Sequence, residues 1–150
     1  MAELLYHEDL AVGQKFATAT LRVTAEDIKA FARQFDPQPF HLDEAAARAT
    51  IFGGLAASGW HTAALMMRLI VKSGPPIAGG IMGSGIDELR WLRPVRPGDE
   101  LRGECEVVEM RPSGSRPSQG WVRIRNTAFA QDGGAVMSFI ANLMVPRRQG

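Results

Sequence analysis

The chain of 150 residues carries 17 Lys and Arg against 16 Asp and Glu, a net charge of +1. That balance is too even for a protein that holds nucleic acid by its overall field. Hydrophobic residues make up 45% and charged residues 22%, the composition of a soluble globular domain, and the length suits one domain whose core needs neither disulfide nor metal.

Residues 1–10 carry Glu3, His7, Glu8 and Asp9 around no apolar core, so no signal peptide is expected. The single cysteine, Cys105, excludes an internal disulfide and suits a reducing, cytoplasmic setting. It reads as a small apolar strand residue. Residues 10–14 form a turn and residues 15–23 a first strand, with Ala17, Ala19, Leu21 and Val23 expected to face inward. A helix follows over residues 24–35, with Thr24 as N-cap, Asp27 at the capping-box position, and Ile28, Phe31, Ala32 and Phe35 on one face.

The next segment, Phe35-Asp36-Pro37-Gln38-Pro39-Phe40-His41, places an acid and a base five residues apart. Two prolines fix their own φ and disfavour helix at the residue before each, so the backbone between Asp36 and His41 is expected to be stiff and extended. Such a loop suits two titratable groups that share one proton, because acid–base chemistry requires geometry first. A short Ala-rich helix over residues 43–50 leads to Phe52-Gly53-Gly54-Leu55-Ala56-Ala57-Ser58-Gly59. From Gly59 a long helix runs to residue 73, capped by Ser58 and stopped by Gly74-Pro75-Pro76.

That helix is apolar almost all round, leaving His61, Arg68 and Lys72 as a narrow polar stripe, and must be wrapped by other elements. Its window, residues 54–71, contains Ser58, His61, Thr62 and Arg68 and is no membrane span. Four strands follow over residues 82–93, 100–110, 119–131 and 135–145, separated by Pro94-Val95-Arg96-Pro97-Gly98-Asp99, a longer loop with Pro112 to Pro117, and Asp132-Gly133-Gly134. Together with the early strand they predict an α+β domain with segregated helices and an antiparallel sheet. An edge strand of such a sheet must be covered, which points to at least a homodimer.

Taken together, Asp36, Pro39 and His41, with Phe52, Gly53 and Gly59 downstream, resemble the MaoC-like dehydratases, which include the (R)-specific enoyl-CoA hydratases. Their signature is roughly Asp-x-Asn-Pro-x-His followed by Phe-Gly-x-x-Ala-x-Gly. Gln38 stands where the family has Asn, and Phe35 where it has Gly. The resemblance extends over nearly the whole chain and implies a hot-dog fold, a five-stranded antiparallel sheet around a long central helix, as one domain over residues 1–150. It implies that Asp36 and His41 hold and activate a water while the Gly59 N–H polarises a thioester carbonyl. A glycine at a helix N-terminus has an unpaired donor and the helix dipole for that task. Gln38, Phe40, Phe52 and Ser58 are the expected neighbours of the substrate.

The implied reaction is addition or removal of water at the 2,3-position of an enoyl or (3R)-hydroxyacyl thioester, with coenzyme A as part of the substrate and no separate cofactor. The same fold also hosts acyl-CoA thioesterases and could serve as a non-catalytic acyl-thioester-binding subunit. Residues 90–150 hold ten arginines against six acidic groups, and Arg111 and Arg116, taken to lie on the long loop, are candidates for the phosphates of coenzyme A. His7, His41 and His61 lack any metal-ligand spacing. His61 reads as a packed or interface histidine, and Trp60 and Trp121 as core or dimer-contact aromatics.

Overall fold

The computed structural model describes residues 3–148. Strand β1 (Lys15–Arg22) is followed by helices α1 (Ala25–Phe35), α2 (Pro39–Leu42), α3 (Glu44–Arg48) and α4 (Gly59–Ser73). Strands β2 (Met82–Trp91), β3 (Glu100–Pro112), β4 (Gln119–Phe129) and β5 (Ala135–Pro146) complete the chain. All pairings are antiparallel, and the five strands stand in the order β1-β3-β4-β5-β2. The sheet curls around α4, whose Leu65, Met66, Leu69 and Ile70 join Leu101, Val107, Val122, Ile124, Phe139 and Leu143 in one buried core. Alternation in β3 and β4 buries every second residue over most of their length, as a sheet with one covered face requires. On β3 the glycine at position 103 leaves room for the end of Met66, whose Cε would stand 2.6 Å from a Cβ there.

Three local expectations are overturned. In β1 the pairing with β3 shifts between Ala17 and Thr20. This bulge reverses the alternation, so Phe16 and Thr18 point inward before it and Leu21 and Val23 after it, while Ala17 and Ala19 are exposed. Residues 39–42, expected to be extended, form a helical turn. Pro39 occupies its first position, where a missing N–H and a preset φ favour a helix start, and the preceding Gln38 is extended as a residue before proline should be. Phe35 is 68% exposed and rests on Phe31 rather than entering the core.

Helix α4 is also less completely wrapped than its composition implies. His61 is buried, while Trp60, Ala64, Met67 and Val71 form an open stripe. That stripe adjoins β2, where Met82, Ile86 and Trp91 are exposed. Met67 and Ile86 line one shared cleft, and Trp60 packs edge-on to Trp91 at 5.1 Å between ring centroids.

Candidate active site

Asp36 closes α1, its N–H donating to Ala32 O at 2.9 Å, and the turn of α2 then brings His41 back towards it. His41 Nε2 lies 3.3 Å from Asp36 Oδ2. The imidazole is buried, and its Nδ1 lies 2.6 Å from the Ala56 carbonyl oxygen. A carbonyl only accepts, so Nδ1 carries the hydrogen and Nε2 is the atom presented to the carboxylate. The backbone reinforces the arrangement, since Ala56 N–H donates to Phe40 O at 3.1 Å.

Asp36 has two further partners. Gln38 Nε2 donates to Oδ1 at 2.6 Å, and the Ser58 hydroxyl stands close enough to the carboxylate to favour its ionised form. Burial is the largest single influence on this carboxyl and opposes ionisation, but Ser58, the hydrogen bond from Gln38 and the nearby His41 together outweigh it and hold the group below its ordinary value. Asp36 is therefore a carboxylate at neutral pH. A neutral His41 would present a lone pair to it, so a hydrogen is needed between two acceptors, either a proton or those of a water molecule.

Ser58 is fully buried at the N-cap of α4, where its hydroxyl accepts from Trp60 N–H at 3.2 Å. That leaves the Gly59 N–H, at the first position of α4, without a hydrogen-bond partner among the described residues. The loop before it is tied down by Arg96, whose guanidinium donates to Gly54 O at 2.9 Å, to Leu55 O at 3.3 Å and to Phe52 O. Ala57 N–H donates to Val95 O at 2.9 Å.

Asp36, Gln38, Phe40, His41, Phe52 and Gly59 line one open pocket of about 550 Å³. Phe40 meets His41 edge-on at 4.6 Å and Phe52 at 4.9 Å, giving the pocket an apolar wall against the imidazole. Trp60, Trp91, Arg93 and Val95 also line it. Ser58 touches the site through Asp36 rather than through the cavity. Arg111 and Arg116 do not line the pocket. Arg111 belongs to β3 rather than to a loop, with its guanidinium over the Trp121 ring at 5.6 Å, and only Arg116 sits in the connection between β3 and β4.

His61 is packed as expected, stacked on Phe31 at 4.8 Å, and burial lowers its pKa. Among the described residues no group of three or more His, Cys, Asp or Glu is disposed to hold a metal ion. None of their helices is long and apolar enough to cross a membrane.

Sequence reasoning missed Trp91, Arg93 and Arg96. All three flank or occupy a segment with a strong turn signal, Arg93-Pro94-Val95-Arg96-Pro97-Gly98-Asp99, which reads as punctuation until its contacts with residues 52–59 are known.

Residues 8–128 match the model of the MaoC like domain. The chain belongs to the MaoC-like family. It is 55% identical to the MaoC-like dehydratase of Rhodospirillum rubrum, whose crystal structure superposes with a TM-score of 0.94 over 97% of this chain and 99% of that one. The unliganded R-hydratase PhaJ1 of Pseudomonas aeruginosa is 33% identical, with a TM-score of 0.77 over 95% of this chain and 86% of that one. A relative in sequence, the (R)-specific enoyl-CoA hydratase of Rhodospirillum rubrum, is 30% identical over 151 residues, covering 97% of this chain and 94% of that protein. Two longer relatives are matched over only 41% and 36% of their own lengths.

Proposed function

We propose that the protein is a hydro-lyase that adds water reversibly across the 2,3-double bond of a trans-enoyl thioester to give a (3R)-hydroxyacyl thioester. The observation that carries this reading is the Asp36–His41 pair at 3.3 Å, its ring hydrogen fixed on Ala56 O, in one pocket with the unpaired N–H of Gly59. A water held beside the pair on its pocket side bridges Asp36 Oδ2 and His41 Nε2, directing one hydrogen towards each. As its oxygen bonds to C3, a proton passes to this pair and the double-bond electrons shift to give an enolate. The charge gathers on the thioester oxygen, opposite the Gly59 N–H and the N-terminal end of the α4 dipole. Proton return from the pair to C2 completes addition, and the same steps in reverse remove water. The two groups act as one coupled unit, so acid and base roles belong to the pair.

The family membership and the hydratase relative support the reaction class. Coenzyme A enters as part of the substrate, in the cytoplasm, and no other cofactor is assigned. The working unit is a homodimer in which a second copy covers the β2 edge and the open stripe of α4. In support of this, Met67 and Val71 on α4 and Met82 and Ile86 on β2 are each at least 40% exposed, Met67 and Ile86 line one cleft, and β2 is an edge strand of the sheet.

Purified protein assayed against crotonyl-CoA and longer or branched enoyl-CoAs tests the reading. Loss of enoyl absorbance without release of free thiol is expected. Thiol release would make the protein a thioesterase, and binding without turnover would make it an acyl-thioester-binding subunit.

A further inference from the structure

Gly59 has no need of glycine's backbone freedom, since its φ does not lie in the left-handed region. What requires glycine there is space. A methyl group on its Cα would sit 2.5 Å from Cε2 and 2.7 Å from Nε1 of the Trp91 indole. The same indole donates its Nε1–H to Gly59 O at 2.9 Å. Trp91 is fixed in turn by its pairing with Met137 at the end of β2, by Leu92 N–H donating to Val136 O at 2.8 Å, and by the edge-on contact with Trp60.

We infer that Trp91 is a positioning residue for the oxyanion donor. Its ring occupies the side-chain space that Gly59 leaves empty, and its N–H holds the Gly59 carbonyl, so that the first turn of α4 keeps one orientation and its free amide faces the reacting carbonyl. This inference rests on the hydration reading. It accounts for a tryptophan that remains 44% exposed yet makes a directed hydrogen bond to the backbone of a helix on another element.

The test compares wild type with Trp91→Phe, Trp91→Ala, Gly59→Ala and the double variant on one enoyl thioester, with kcat, KM and Tm measured for each. Trp91→Phe keeps a ring against Gly59 and removes only the donor. It should lower kcat roughly 3- to 10-fold, the range for one net hydrogen bond, with KM changed less than about twofold. Trp91→Ala should cost on the order of 10² in kcat, approaching the loss of an oxyanion donor. Adding Gly59→Ala to Trp91→Ala should cost little more, because the methyl enters vacated space, whereas Gly59→Ala alone displaces the indole and loses activity. Full kcat in folded Trp91→Phe and Trp91→Ala, with any loss confined to KM, would overturn the inference and leave the hydration reading standing. An inert wild type would overturn both.

Discussion

Replacement of Asp36 by Asn tests the shared-water geometry most directly. In the native site Oδ1 accepts from Gln38 Nε2 at 2.6 Å, which forces the amide oxygen of the substituted side chain into that position and turns its NH2 towards His41. From the place of Oδ2, 3.3 Å from Nε2, the new NH2 donates into the imidazole lone pair. One substitution therefore removes both acceptors from the water, while a neutral hydrogen-bonded pair remains and the fold survives. General acid–base assistance contributes about 10²–10⁴ in rate, so the barrier should rise by about 3–5 kcal/mol. His41→Gln should cost a similar amount, and the double variant little more, because groups that act as one unit are not additive. The assay is decay of enoyl absorbance together with Tm. The Asp36 carboxyl is held below its ordinary value, so its stabilising contribution is complete above the ordinary carboxylate range and is lost as the pH falls through the folded value. Asp36→Asn should therefore flatten the acid side of the Tm profile. Losses in the two single variants that multiply in the double would refute the shared water.

Arg96→Met should lower stability by about 2–3 kcal/mol, since the carbonyls of Phe52, Gly54 and Leu55 lose a charged donor, and Arg96→Lys should rescue little because one ammonium cannot reproduce the fork. Urea titration reads this, and wild-type midpoints would refute the tie. Burial, helped by Glu104, pushes the Cys105 thiol up to about 11. It should resist a thiol-reactive disulfide at about pH 8 in the native protein and react once when unfolded, and rapid native labelling would contradict its burial. Light scattering at micromolar concentration should give a dimer, and Ile86→Asp should shift it towards monomer. A wild-type monomer would refute the covered β2 edge.

The juxtaposition of Asp36 and His41 was legible in sequence because they lie five residues apart, so local geometry decides most of their relation. The cap of α4 and the turns that separate the strands were legible for the same reason. Trp91 and Arg96 were not, because their roles depend on where β2 ends and how the turn after it meets residues 52–59, contacts that are distant along the chain. The double proline misled in one respect: Pro37 keeps Asp36 out of the helix, but Pro39 starts a helix instead of preventing one. In β1 the bulge between Ala17 and Thr20 reversed the inward face, a feature that alternation in a strand of small residues cannot signal.

The acceptor that fixes the imidazole hydrogen is a main-chain oxygen, Ala56 O, rather than a side chain. Every amino acid supplies that oxygen, so no substitution at position 56 can remove it, and the tautomer of His41 is inherited through the path of the chain. Position 56 is nonetheless fully buried, so a saturation library there should sort first by side-chain volume. Small residues such as Gly or Ser keep the ring in register, and large ones displace it. A catalytic histidine oriented by a carboxylate would show the opposite pattern, with chemistry and not size sorting the library.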